Sequence, residues 1–214
     1  MNPAEQTLNS LIDRHRELSG SKTEIAKAYD IIRQAFADGN KILICGNGGS
    51  AADSDHIAGE LMKGFMKKRP VSDDLKKKMQ QIDPVRGALL SASLQGALPA
   101  IALTMNTALN TAVMNDNDPK LIYAQQVAGY GKTGDVLLGI STSGNAENVI
   151  HAMIAAKAYG LKVIGLSGPT GGKMAALSDV CIKVPGESTS MIQELHLPVY
   201  HALCKMIEET FFAI

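Results

Sequence analysis

The chain has 214 residues, 45% of them hydrophobic and 20% charged, which suffices for one sizeable core and is short for two independent domains. Its 21 basic and 21 acidic residues cancel, so it lacks the global electrostatic footprint that nucleic acid or an anionic membrane demands, and neither is expected as a partner. The cysteines Cys45, Cys181 and Cys204 are odd in number and set in apolar context, the pattern of buried thiols in a reducing cytoplasm rather than a disulfide frame. The N-terminus carries acids and no continuous apolar run, which speaks against a signal peptide or anchor, and no window approaches the ~18 apolar residues of a membrane span.

In chain order, apolar spacing predicts amphipathic helices over 3–18 (Leu8, Leu11, Ile12) and 23–38 (Ile31, Ile32, Phe36). Five short apolar runs follow, KILICG, PAIALTM, DVLLGIS, KVIGLS and VCIKVP, each bounded by Gly, Pro, Asn or Asp. Runs of this kind separated by helical stretches such as 146–159 indicate strands buried on both faces of a parallel sheet, hence a doubly wound α/β fold with five parallel strands. In such sheets ligands sit beyond the carboxyl ends of the strands. Between the opening helix and the second strand, residues 69–99 break the rhythm. A short helix capped at Ser72 is expected there, with Asp73 and Asp74 in its first turn, and the segment reads as a solvated insertion or as a lid whose lysines or Arg86 reach an anion.

Four segments carry chemistry. In GNGGSA, Gly46, Gly48 and Ala51 satisfy a relaxed dinucleotide fingerprint, but no acidic residue ends a following strand about 20 residues on, and the absence of GK[ST] excludes a Walker loop. Backbone N–H groups that take a ligand's oxygens remain, beside the plainer reading of a tight turn. In ISTSGNAENVI, the hydroxyls of Ser141, Thr142 and Ser143 precede Gly144 and a helix starting near Asn145, a phosphate site without a lysine. His56 and Glu60, four residues apart, share a helix face, which suits two ligands of one metal or an acid and base on one substrate, and is equally common on exposed helices. SMIQELHLPVYHALCKMI supplies Gln193, Glu194, His196 and His201. His196 reads as a neutral packed histidine. Gln193 and His201 would lie about 12 Å apart along an ideal helix and ~80° around it. They converge only if Pro198 starts the helix and leaves Gln193 in irregular chain, or if two subunits contribute.

Taken together, GNGGSAADSDHIAGEL, STSGN, GGKMAALSDV and IQELHLPVYH closely resemble the SIS (sugar isomerase) family, and within it the phosphoheptose isomerases. The resemblance implies a SIS domain over 1–214, with N-terminal helices over 1–40 and an insertion over 71–98. It also implies one zinc ion, Zn(2+), held by His56, Glu60, Gln193 and His201. Glu60 would be the base that moves a proton between C1 and C2, and His201 the acid and base at the sugar oxygens. Substrate contacts would come from Asn47, Gly48, Gly49, Ser50, Glu60, Asn115, Asp116, Ser141, Thr142, Ser143 and Gln193. A homotetramer is implied too, with the apolar stripes of the N-terminal helices in its interface.

Two departures stand out. Ala146 replaces a serine usual after STSGN, and residues 71–98 intervene where relatives run from Arg-Pro almost directly into the next strand. The leading expectation is interconversion of sedoheptulose 7-phosphate and the manno-configured heptose 7-phosphate, on the way to activated heptose for bacterial surface glycans. Isomerisation of another sugar phosphate is the nearer alternative. A non-catalytic SIS scaffold, like the relative that binds the bacterial replication initiator, is the other; that relative lacks counterparts of Glu60 and His201, which this chain retains.

Overall fold

A computed structural model describes residues 2–212. The chain opens with α1 (Pro3–Arg14), a 3-10 stretch (Arg16–Ser21) and α2 (Lys22–Ala37). Then come β1 (Ile42–Gly46), α3 (Gly49–Met62), α4 (Asp73–Ile82), α5 (Pro84–Ser93), β2 (Ala100–Ala102), α6 (Thr107–Asp116) and α7 (Ile122–Tyr130). The last part holds β3 (Val136–Ser141), α8 (Glu147–Ala158), β4 (Lys162–Ser167), α9 (Met174–Leu177), β5 (Val180–Lys183) and α10 (Thr189–Phe211).

The five strands form one parallel sheet in the order β2-β1-β3-β4-β5, with Ile42 in register with Ala100 on one side and Val136 on the other. Because successive side chains alternate across a strand, Ile42, Ile44, Leu138, Ile140, Ile164 and Leu166 enter the core beneath α1, α2, α3 and α10. Leu43, Cys45, Leu137 and Val163 enter the core beneath α7 and α8. Both faces are thus covered, as near-continuous apolar strands require. The chain leaves β1 toward one edge and β3 toward the other, so the crevice between their carboxyl ends is the topological switch point, where ligands of this fold class bind.

Several expectations shift. The first helix stops at Arg14, where His15 leaves helical dihedrals and a 3-10 stretch takes over. The run PAIALTM yields a strand of only three residues, at the sheet edge where a single neighbour supplies ladder bonds. Residues 73–93 form two helices, α4 and α5, joined at Asp83, whose carboxylate caps α5 by accepting from the amides of Val85 and Arg86. Ser72 caps α4 as expected. The stripes of α1 and α2 need no second chain: Leu8, Leu11, Ile25 and Ile32 are buried in this one, and α1 is tied to α10 by Thr7 Oγ1 donating to Glu209 (2.9 Å). Cys45 and Cys204 are buried thiols, whereas Cys181 is half-buried, and all three are free. Among the described residues, no helix is long and apolar enough to cross a membrane.

Candidate active site

At the switch point β1 runs out at Gly46 and α3 starts at Gly49. Gly48 caps α3 at φ 57°, ψ −120°, a conformation that side chains strongly disfavour. No side chain caps this end; the amides of Ser50 and Ala51 turn back onto the carbonyls of Asn47 and Gly48, which leaves the Gly49 N–H for a ligand. At Gly49 the reason for glycine differs, since a Cβ there would run into the side-chain amide of Gln193. β3 ends alongside at Ser141, followed by Thr142, Ser143 and the start of α8. That helix begins two residues later than Asn145, capped by Ala146 with no side-chain hydrogen bond. Both loops, Gln193, Ala146 and Thr189 line one cavity of about 400 Å³. Since Thr189 opens α10, three helix N-termini (α3, α8 and α10) face this cavity, and their aligned dipoles favour an anion without a lysine.

Two residues not singled out in the sequence, Asn148 and Tyr123, hold the cradle. Asn47 and Asn148 exchange side-chain amide hydrogen bonds (2.8 and 2.9 Å), joining the glycine loop to α8, and Tyr123 donates to the Gly46 carbonyl (2.5 Å). The asparagine three residues beyond Asn145 was a legible signal; Tyr123, from a distant helix, had none.

A second cluster forms farther along α3, where that helix lies against α10. His56 Nε2 is 3.2 Å from Glu60 Oε1, and its Nδ1 is 3.0 Å from the hydroxyl of Tyr200. The His201 ring stands edge-on to His56, centroids 5.1 Å apart. Glu60 Oε2, His201 Nε2 and Asp53 Oδ2 are buried and accept or donate no hydrogen bond. Orphaned polar atoms of this kind mark a place for a bound group. Burial, reinforced by the charge of His56, pushes the His201 imidazole down and favours its neutral form, against the pull of Glu60. Burial raises the Asp53 carboxyl, opposed by Tyr200 and His56.

The two sets do not merge. α10 is continuous, and Pro198 lies inside it at the cost of one backbone hydrogen bond, so Gln193 is helical and belongs to the cradle while His201 belongs to the second cluster. The irregular chain expected around Gln193 is absent. Among the described residues, no three His, Cys, Asp or Glu side chains are arranged to hold a metal ion. Both nitrogens of His56 are already engaged, and the four expected zinc ligands fit an ion only through the free atoms of Glu60 and His201. Asn115 and Asp116 end α6, bond to each other (2.8 Å) and line neither set. His196 is wholly buried, as expected of a packed neutral histidine.

Comparison with known proteins matches this architecture. Residues 6–93 and 85–168 match the SIS domain family. The chain is 43% identical over 187 residues to a phosphoheptose isomerase of Nitratiruptor sp., covering 87% of this chain and 86% of that one. Two solved structures are similar: a phosphoheptose isomerase from Neisseria gonorrhoeae (TM-score 0.71, 34% identity, 96% of this chain and 98% of that one) and one from Francisella tularensis (TM-score 0.75, 31% identity, 96% of each).

Proposed function

The chain belongs to the SIS-domain phosphoheptose isomerases, enzymes that isomerise phosphorylated sugars, and from that premise we propose that it interconverts sedoheptulose 7-phosphate and D-glycero-D-manno-heptose 7-phosphate in the cytoplasm. The observation that carries this reading is the pair of buried atoms without a hydrogen-bond partner, Glu60 Oε2 and His201 Nε2, on the same two helices, α3 and α10, whose N-termini line a cavity built for an anion.

The phosphate enters the cradle, where the N–H group of Gly49 and the hydroxyls of Ser141, Thr142 and Ser143 take its oxygens. Glu60 removes a proton from C1, alpha to the C2 carbonyl, while His201 supplies a proton to the C2 oxygen, leaving an enediol. Glu60 returns its proton to C2, His201 recovers one from the C1 hydroxyl, and the aldose forms. A neutral His201 can act first as donor, which its lowered pKa favours. Zinc stays the proposed ion; the free atoms of Glu60 and His201 would hold it, and when bound it would polarise the sugar oxygens. Loss of activity on chelation, restored by zinc, is the check on it; activity that survives complete metal removal refutes it.

In one chain the rise from Gly49 to Glu60 is ~16 Å. An extended seven-carbon phosphate, with bonds of ~1.5 Å, spans only about 10 Å. The separation of the two clusters supports a site shared between copies, with Glu60 and His201 of one serving the cradle of another, in the homotetramer that the family resemblance implies. Mixing Glu60→Gln subunits with cradle-defective ones should then restore activity that neither has alone, and a monomer by light scattering would refute it.

The decisive experiment is Glu60→Gln in the purified protein. Turnover should fall roughly 10²–10⁴-fold, with sugar phosphate still bound; full activity in that variant removes Glu60 from the reaction.

A further inference from the structure

We propose that Arg69 is a positioning residue for Glu60, fixing the end of α3 so that the carboxylate is aimed. The proposal rests on the reading of Glu60 as the base. Arg69 is 1% exposed, and a buried guanidinium persists only where its donors are satisfied. Its Nε donates to Glu208 Oε1 (2.8 Å), while its two terminal nitrogens donate to the carbonyls of Leu61 (2.8 Å) and Glu60 (3.1 Å). Those carbonyls lie in the last turn of α3, where no helical N–H reaches them. Lys63 follows in an extended conformation, so no left-handed cap closes this helix and the guanidinium takes its place.

Glu208 completes the clamp. It stands on α10, two turns beyond His201, and accepts from the amides of Phe65 and Met66 (2.8 Å each), the residues just past α3. One buried ion pair therefore ties the backbone of Glu60 to the helix that carries His201. Glu60 is held at Oε1 by His56 alone and at Oε2 only by a long ion pair with the exposed Lys63 (3.9 Å), so its aim depends on the backbone beneath it. A lysine at position 69 has no fork to span Glu208 and two carbonyls. The cradle lies at the opposite end of α3, ~16 Å away, and is untouched by the clamp.

Arg69→Lys separates this role from general structural support. The expected result is kcat down at least tenfold with KM within twofold, together with faster hydrogen exchange in the last turn of α3 and unchanged exchange in its first. Wild-type kcat in the folded variant, or KM rising in step with the fall of kcat, overturns the proposal. If Arg69→Lys does not fold, Glu208→Gln, which keeps the shape and removes the charge, is put through the same two measurements, and the same results support or overturn the proposal. A wild-type protein inert toward every sugar phosphate tried would defeat the reading of Glu60 as base; unchanged exchange at the end of α3 would defeat the clamp itself.

Discussion

Acidification should expose the cost of burying His196. The side chain is wholly buried on α10, and burial pushes its imidazole from the ordinary 6.5 down to about 4, outweighing the Ser167 backbone, which acts the other way. Between these two values the unfolded chain binds a proton that the folded chain refuses, so the free energy of unfolding falls as pH drops. The contribution is fully present above pH 6.5, declines through the window and is gone below pH 4. A separation of 6.5 to about 4 corresponds to about 3 kcal/mol at 1.36 kcal/mol per unit. The Glu208 carboxyl is held below its ordinary 4.5: burial raises it, but the Phe65 and Met66 amides and Arg69 more than offset this, so its contribution is present above pH 4.5 and is lost as pH falls below that value. The assay is urea unfolding at fixed protein concentration from pH 7.5 to 4, for wild type and His196→Leu. Carboxylate effects are common to both chains and cancel, so the difference should move by about 3 kcal/mol. A difference that stays within ~0.5 kcal/mol across the window refutes the assignment of a neutral buried His196.

Gly49→Ala should leave the melting temperature almost unchanged, because its Cβ meets only the movable end of Gln193, yet displacing that amide from the cradle should raise KM about tenfold, or ~1.4 kcal/mol; an unchanged KM in steady-state kinetics argues against Gln193 as a contact. Ala146→Ser places a capping hydroxyl at the uncapped start of α8, which should add about 1 kcal/mol of stability by denaturant unfolding. The same hydroxyl lies in the cavity wall, so KM should fall as well, and a rise would mean that the cradle has no room for it.

The sequence by itself determined the sheet and most of the chemistry on it. Apolar runs of four to six residues bounded by breakers can only be strands covered on both faces, and β1, β3, β4 and β5 lie where those runs are. The glycines before α3, the hydroxyls after β3 and the His56–Glu60 pair were equally legible, because each depends on neighbours a few residues away, and the family resemblance rests on the same stretches. Spacing also set Gln193 and His201 about 12 Å apart along an ideal helix, and both do lie on the continuous helix α10, with Pro198 inside it. Only the tertiary structure decided what α1 and α2 cover, since an amphipathic stripe does not name its partner: here it is α10 and the sheet of the same chain. Nor could local pattern reveal that Arg69, at the neck of the inserted hairpin, would cap the helix bearing Glu60 through a carboxylate 139 residues away. Such pairings depend on which elements the sheet order brings side by side, and that is fixed by the packing of the whole core rather than by any segment of it.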